Sequence, residues 1–199
     1  MRSNTAAWGR IERMTHGNAT AIETIQWHPA ERLGQLSVDA HLRPWLIGNG
    51  LLTQRLKTVC GDRFAMQLVD QWTGLLSAAH RSALRVDDNA GLFRDVELRS
   101  GDKVWVFGET VVPDSTLSAH SWLAELGDAA LGETLLGLSG VERGSYEYAW
   151  LPNSDAAASR ALRDAQIKPA GLWARRSRIA LRGAALLTQE LFLPTLGRS

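Results

Sequence analysis

Hydrophobic and polar residues alternate along several segments of the chain, most clearly in the segment 173–194. Two runs with strand character flank a short connection that contains Gly183, which predicts a β-hairpin. Alternation places Glu190 on the same face of its strand as Leu186 and Phe192. A carboxylate between two apolar side chains is costly to bury unless a partner binds it. Glu190 is therefore either a strand-edge group that reaches solvent or an arginine, or a polar group of a pocket.

A second polar residue interrupts an apolar face in the segment 92–98. Arg94 alternates in phase with Leu92 and Val96, so the guanidinium is predicted on the apolar side of a strand. Arginine stays charged and has a planar fork of donors, which suits it to bind a carboxylate in a partly desolvated site. Arg94 needs an anion, and two alternatives stay open: an internal ion pair, with Glu190 as one candidate partner, or a bound ligand.

The rest of the pattern predicts further short elements. Helical spacing of apolar residues predicts an amphipathic helix over 51–60, with Asn49 as its N-cap and Gly61 as its stop. Further strands are predicted at 64–72, 104–112 and 146–150, and further helices at 115–126 and 155–167. Together these elements predict an α+β single domain, in which successive hairpins build an antiparallel sheet and helices fold over one face.

Composition narrows the class of protein. The chain has 199 residues, of which 45% are hydrophobic and 22% charged, so it is long enough for one globular domain with a core. A net charge of +1 does not indicate the strongly basic surface that is typical of nucleic-acid-binding proteins. The single cysteine, Cys60, excludes an internal disulfide and is consistent with a reducing cytosol. No apolar run approaches the roughly 20 residues that span a bilayer, so we expect a soluble, cytoplasmic protein without stable membrane insertion.

Several common chemistries find no support in the sequence. The five histidines lack the spacing of metal ligands, so no metal site is expected. Dinucleotide-binding and phosphate-binding glycine motifs and a nucleophile elbow are also missing, and no cofactor is expected. The arginine cluster beside the final hairpin turn is interpreted as a solvated surface; it comprises Arg175, Arg176, Arg178 and Arg182. Residues 1–22 are polar with weak periodicity, which predicts a flexible N-terminal extension.

Five collinear segments carry a resemblance to a known family: R-D-V-E-L, W-V-F-G-E-T-V-V-P-D-S-T-L, L-G-D-A-A-L-G, G-L-W-A-R-R-S-R and L-L-T-Q-E-L-F-L-P. Their order and approximate spacing resemble those of the chorismate lyase family, the chorismate pyruvate-lyases of ubiquinone biosynthesis. With L-L-T-Q-R-L at 51–56, the resemblance extends from about residue 45 to residue 194. It implies a chorismate lyase-like domain over 23–199, with a six-stranded antiparallel sheet and a ligand enclosed beneath helical flaps.

The resemblance also implies a reaction and a site. The reaction is elimination of pyruvate from chorismate to give 4-hydroxybenzoate, the first committed step towards ubiquinone, without a cofactor. Arg94 would hold the ring carboxylate, and Glu190 would accept the ring hydroxyl. These two are the candidate catalytic residues, while the Leu131 amide and the Leu52 region would help to close around the ligand. The small-molecule partners are chorismate and 4-hydroxybenzoate, product inhibition is expected, and a monomer is the expected state.

The chain departs from the family pattern at two positions. Ala130 stands where relatives usually have proline, which would make the loop before Leu131 less rigid. Glu109 stands where relatives commonly have arginine, which leaves open a lyase-like pocket that has lost its activity. Effector domains of some transcription regulators resemble the same fold, so the alternative function is a non-catalytic sensing domain for an aromatic carboxylate. Such regulators carry a DNA-binding helical module ahead of the sensor, for which the N-terminal region is too short.

Overall fold

The computed structural model describes residues 25–48, 50–165 and 168–197. These residues contain eight strands: β1 (His28–Pro29), β2 (Phe64–Leu75), β3 (Ala90–Ser100), β4 (Lys103–Pro113), β5 (Val141–Arg143), β6 (Glu147–Pro152), β7 (Gly171–Leu181) and β8 (Ala184–Phe192). They also contain six α-helices: α1 (Arg43–Ile47), α2 (Leu52–Cys60), α3 (Ala78–Leu84), α4 (Asp114–Ala119), α5 (Leu131–Leu136) and α6 (Ala156–Ala161). The predicted N-terminal extension over 1–22 and the predicted helix cap Asn49 lie outside the described residues.

The strands form one antiparallel sheet in the order β1-β6-β7-β8-β4-β3-β2, which confirms the predicted α+β class. The described residues contain eight strands rather than six because β1 and β5 have only two and three residues. β5 pairs with the end of β7, and β1 pairs with β6 at the edge of the sheet. Segments this short show no periodic alternation, so the sequence pattern could not reveal them.

Two predicted helices are shorter than the sequence suggested. The predicted helix over 115–126 divides into α4 and a 3₁₀ turn at Ser121–Glu125, with His120 between them in a non-helical conformation. The helix predicted over 155–167 is α6, which Asp155 caps by accepting hydrogen bonds from the amides of Ala157 and Ala158. Within the described residues, none of the helices is long and apolar enough to cross a membrane.

Helices cover both faces of the sheet, so the prediction that they fold over one face is wrong. We call the face that carries Arg94 and Glu190 the front face and the opposite one the back face. On the front face, α1 and α2 contribute to one apolar cluster and α5 contributes to a second. On the back face, α6 packs on a third cluster and α3 on a fourth. A strand that is buried on both faces has apolar side chains at both odd and even positions. Its sequence therefore does not show which face the helices cover.

A polar band separates the two apolar clusters on each face. On the front face, Arg94, Thr110 and Glu190 occupy the middle of their strands. On the back face, Asp95 and Glu109 lie opposite each other on β3 and β4, and both are buried. Burying so many polar groups is costly unless they are paired, so each band needs its own partners.

Candidate active site

A cavity opens over the polar band of the front face, and Leu52, Arg94, Leu131 and Glu190 all line it. The structure therefore brings the four residues that the sequence singled out together around one space. Arg94 and Glu190 rise from the sheet, whereas Leu52 and Leu131 begin the helices α2 and α5 above it. The binding role of each residue remains a prediction.

The floor of the cavity between Arg94 and Glu190 is formed by the intervening strand β4. The two residues belong to β3 and β8, which flank β4, so the two strands are roughly 10 Å apart. Gly108 of β4 lies opposite both Val96 and Glu190. A Cβ atom at Gly108 would lie 3.0 Å from Cγ2 of Val96. Because Gly108 has no side chain, the middle of the floor stays low.

Arg94 is held by backbone carbonyls and not by a carboxylate. Its side chain is buried, and Nη2 donates hydrogen bonds to the carbonyl oxygens of Gly127 at 2.7 Å and Ala129 at 2.9 Å. Among the described residues, Arg94 has no ion-pair partner, and its buried Nε has no acceptor. Burial lowers the pKa of Arg94, although the nearby Asp128 carboxylate opposes this change. The proposed ion pair with Glu190 is therefore absent, and Arg94 is an incompletely satisfied cation in a cavity.

Glu190 has a different cationic partner. The Nε atom of Arg175 donates a hydrogen bond to Oε2 of Glu190, and the Glu190 side chain is 20% exposed. The Nη1 atom of Arg175 donates to the backbone carbonyls of Trp45 at 3.2 Å, Leu46 at 3.0 Å and Gly48 at 3.2 Å. Arg175 therefore fixes Glu190 in the cavity and ties β7 to the C-terminal end of α1.

The prediction that the four arginines near the last hairpin form a solvated surface is wrong for three of them. Arg175 is only 1% exposed, because β7 alternation places it on the front face opposite Glu190. Arg176 pairs with a glutamate of β6 and lies 4.1 Å from the ring centroid of Trp27. Nε of Arg178 donates to a backbone carbonyl of α3, and only Arg182 is exposed. Recognising that 171–181 is a single strand would have identified Arg175 as a buried residue.

Two helices close over the cavity and are joined on the outside. Leu52 and Leu131 are each the first residue of their helix and are buried. As a first-turn amide, the N–H of Leu131 has no acceptor within its own helix. Nζ of Lys57 in α2 lies 2.7 Å from Oε1 of Glu133 in α5, and both side chains are partly exposed. This ion pair links α2 and α5, which we call the flaps of the cavity.

Glu109, which stands where relatives commonly have arginine, directs its carboxylate to the back face. Nη2 of Arg160 donates to Oε2 of Glu109, and Nε of the same arginine donates to Oδ2 of Asp95 at 2.7 Å. Glu109 borders the cavity, but strand alternation and its bond to Arg160 turn the side chain away from it. The charge at position 109 therefore does not enter the space between Arg94 and Glu190.

We expect Glu109 to give the protein a distinctive pH dependence of stability. Burial raises its pKa from an ordinary 4.5 to about 7, although Arg160 opposes this shift. The folded state therefore binds the proton more tightly than the unfolded state, and this stabilisation is complete below pH 4.5 and is lost as the pH rises through 7. The contribution is about 3 kcal/mol, at 1.36 kcal/mol for each pKa unit.

The variant Glu109→Gln stays neutral and keeps an acceptor for Arg160, so its unfolding free energy should lack this component. Urea unfolding of both proteins at pH 5 and pH 8 measures the difference, and titratable groups remote from Glu109 and Arg160 cancel in the comparison. The variant should gain stability relative to the wild type at pH 8. Parallel pH profiles for the two proteins would contradict this assignment.

Solved structures with a similar fold include an effector domain and the C-terminal domain of a repressor. The effector domain of PhnF from Mycobacterium smegmatis has a TM-score of 0.50 at 17% identity, over 74% of this chain and 90% of that one. The C-terminal domain of the histidine utilization repressor from Pseudomonas syringae pv. tomato has a TM-score of 0.51 at 10% identity, over 69% and 96%. At these identities the likeness concerns the fold alone.

The sequence comparisons define the class of protein. The sequence model of the chorismate lyase family matches residues 21–197, so the chain belongs to the chorismate lyase family. A probable chorismate pyruvate-lyase of Nitrosospira multiformis is 32% identical over 178 residues, which are 88% of this chain and 97% of that relative. A chorismate pyruvate-lyase of Pectobacterium carotovorum is 30% identical over 182 residues, 91% of each chain.

Proposed function

We propose that this protein is a chorismate pyruvate-lyase, which eliminates pyruvate from chorismate and forms 4-hydroxybenzoate. The observation that carries the proposal is the arrangement of Arg94 and Glu190 across the low floor at Gly108. Arg94 is a buried cation with no carboxylate partner among the described residues, as a site for a carboxylate requires. A flat ring over Gly108 fits between that cation and the carboxylate of Glu190.

Substrate binding follows from these groups. The ring carboxylate accepts hydrogen bonds from Arg94 and from the Leu131 amide, which satisfies donors that the protein leaves open. The hydroxyl on ring carbon C4 then faces Glu190, at the opposite end of the cavity. Leu52 and Leu131 cover the ring from the side of the flaps. Arg175 holds the Glu190 carboxylate in place before the substrate arrives, so little reorganisation is needed on binding.

The reaction breaks the bond between ring carbon C3 and the ether oxygen, and the electron pair stays on that oxygen. The hydrogen on C4 leaves as a proton, the ring becomes aromatic, and the enolpyruvate gains a proton at its methylene carbon to give pyruvate. The gain of aromaticity supplies the driving force, and the reaction requires no redox cofactor or covalent nucleophile. Catalysis then comes mostly from orientation and a preorganised polar environment.

The biological setting follows from the same proposal. The 4-hydroxybenzoate would supply ubiquinone synthesis, and the lyase-like domain over 23–199 would act in the cytoplasm as a monomer. The turned-away carboxylate of Glu109 supports an active enzyme, because the charge difference at this position lies on the back face and not beside the ring.

The alternative is a non-catalytic domain that senses an aromatic carboxylate, and the fold shared with effector domains of regulators favours it. The two functions differ in turnover. A catalytic amount of protein mixed with excess chorismate should convert it to 4-hydroxybenzoate over many cycles. A sensing domain would bind about one equivalent of chorismate, and the excess would decay no faster than it does without protein. That result would refute the lyase proposal.

We predict that product release and not chemistry limits turnover. The product retains both polar anchors, Arg94 and Glu190, so it should bind at least as well as chorismate, and its escape requires the flaps to open. Rapid mixing should give a burst of one product equivalent per enzyme, then a slower steady state that added 4-hydroxybenzoate inhibits. A progress curve that is linear from the first turnover and insensitive to added product would contradict this prediction.

Two variants that weaken the contacts of the flaps test the same prediction, because they should speed product release. Glu133→Gln removes the ion pair that joins α2 to α5, and Leu131→Ala loosens the cover over the ring. Both variants should weaken product inhibition and raise the steady-state rate, while the rate constant of the chemical step should stay unchanged. An exposed ion pair contributes only about 0.2–1 kcal/mol, so Glu133→Gln should act by a few-fold at most and Leu131→Ala by more.

A further inference from the structure

A second cation, Arg143, borders the same cavity and has no role in holding the product. It lies on β5, is exposed, and has no ion-pair partner among the described residues. Its Nη1 atom donates hydrogen bonds to the hydroxyl oxygens of Ser177 and of Thr188, the latter at 3.2 Å. Its guanidinium also lies 5.6 Å from the ring centroid of Tyr146. These contacts position the guanidinium but leave its charge uncompensated, since all three partners are neutral.

The contacts of Arg143 fix its place along the cavity. Thr188 precedes Glu190 by two residues on β8, so both side chains lie on the front face about 7 Å apart. Ser177 lies opposite Thr188 on the neighbouring strand β7. The guanidinium of Arg143 therefore lies over β7 and β8, at the end of the cavity that holds Glu190. β8 is two strands away from β3, which carries Arg94, and Arg143 stands closer to solvent than Arg94 or Glu190.

The charges of substrate and product differ at that end. Chorismate has two carboxylates, one on the ring and one on the enolpyruvyl group at ring carbon C3, whereas 4-hydroxybenzoate has only the first. With the ring carboxylate on Arg94 and C4 at Glu190, the neighbouring carbon C3 also lies at the Glu190 end. Its enolpyruvyl group would extend from there towards the outer wall of the cavity, where Arg143 stands.

We infer that Arg143 binds the enolpyruvyl carboxylate of chorismate, an assignment that rests on the proposed function. Arg143 then contacts the substrate and the departing enolpyruvate but not the ring product. Its charge offsets the negative charge that the leaving group gains when the C3–O bond breaks. Because Arg143 is exposed, pyruvate leaves first, and 4-hydroxybenzoate remains between Arg94 and Glu190 under the flaps.

The test compares two ligands with the variant Arg143→Gln. The dissociation constant of 4-hydroxybenzoate, measured by calorimetric titration, should stay within about twofold of the wild-type value. The kcat/KM for chorismate should fall by about 10-fold to 100-fold, the range expected when a charged hydrogen bond of about 1.5–3 kcal/mol is lost. Arg143→Lys keeps the charge and should recover part of that loss. The matched control is Arg182→Gln, which removes an exposed arginine bonded to Ser139 and should change neither quantity.

Three results would overturn the inference. If Arg143→Gln impairs 4-hydroxybenzoate binding and kcat/KM for chorismate equally, Arg143 only shapes the cavity. If it changes neither quantity, Arg143 does not contact the substrate. If Arg182→Gln has the same effect as Arg143→Gln, the effect arises from the overall charge of the protein. Failure of the proposed function is a separate outcome, in which the wild type does not consume chorismate at all. The unreactive dicarboxylate 3-(carboxymethoxy)-4-hydroxybenzoate then decides the matter, since Arg143→Gln should weaken its binding at least 10-fold more than that of 4-hydroxybenzoate. Equal losses for these two ligands would remove Arg143 from the site.

Discussion

Replacing Arg94 with alanine should weaken the binding of 4-hydroxybenzoate by about 2–5 kcal/mol, the usual cost of truncating one partner of a buried charge pair. This corresponds to roughly 30-fold to 5,000-fold in the dissociation constant. The effect should be large because Arg94 is buried and already satisfied only in part by the carbonyls of Gly127 and Ala129. Arg94→Lys should recover little, since a point charge cannot bind these carbonyls and a carboxylate with one planar fork.

Calorimetric titration with 4-hydroxybenzoate measures this effect, and circular dichroism checks that the variant remains folded. The matched control is Arg99→Ala on the same strand, whose guanidinium pairs with Glu97 away from the cavity. The control should bind the product normally. An unchanged affinity for Arg94→Ala would remove Arg94 from the site.

Replacing Glu190 with glutamine should lower kcat/KM for chorismate by about 10²-fold or more, the range typical of a positioned acid–base or charge-stabilising group. Glutamine keeps the shape and an acceptor oxygen for Nε of Arg175, so the fold should survive. Loss of the negative charge removes the interaction with the ring hydroxyl and with any proton moved at that end of the cavity. Initial rates, measured beside circular dichroism, give both quantities.

Arg175 provides the contrast that interprets this result. Both variants remove one charge of the Arg175–Glu190 pair, and breaking a buried pair costs about 3–5 kcal/mol. Glu190→Gln retains an acceptor oxygen for Arg175, whereas Arg175→Gln also leaves the carbonyls of Trp45 and Leu46 without a donor. We therefore expect Arg175→Gln to unfold at much lower urea concentration than Glu190→Gln. If Glu190→Gln unfolds as readily, Glu190 serves to hold Arg175 and not the substrate.

Strand periodicity was sufficient to find two of the charged residues that line the cavity. Side chains in a strand alternate with a fixed period of two, so a charged residue in phase with leucine and valine must face the same side as they do. That geometry placed Arg94 and Glu190 on apolar faces before any long-range pairing was known. The structure agrees, since both side chains line the cavity on the front face.

The partners of those residues could not be predicted, because they depend on which strands become neighbours. Glu190 was a candidate partner for Arg94, but β4 lies between their strands and Arg175 lies directly opposite Glu190. Arg175 itself was assigned to the surface because it belongs to a run rich in arginine. Arg160, which donates to one oxygen of each carboxylate on the back face, comes from α6, more than fifty residues along the chain from Glu109.

The most direct test of the account is a rapid-quench measurement on equimolar protein and chorismate, with 4-hydroxybenzoate and pyruvate quantified in the same samples. We expect both products to appear in equal amounts as chorismate disappears. Arg94→Ala and Glu190→Gln should form both more slowly, while Arg99→Ala should match the wild type. Recovery of intact chorismate from its complex with the wild-type protein, or equal rates for all four proteins, would contradict a chorismate lyase with its site between Arg94 and Glu190.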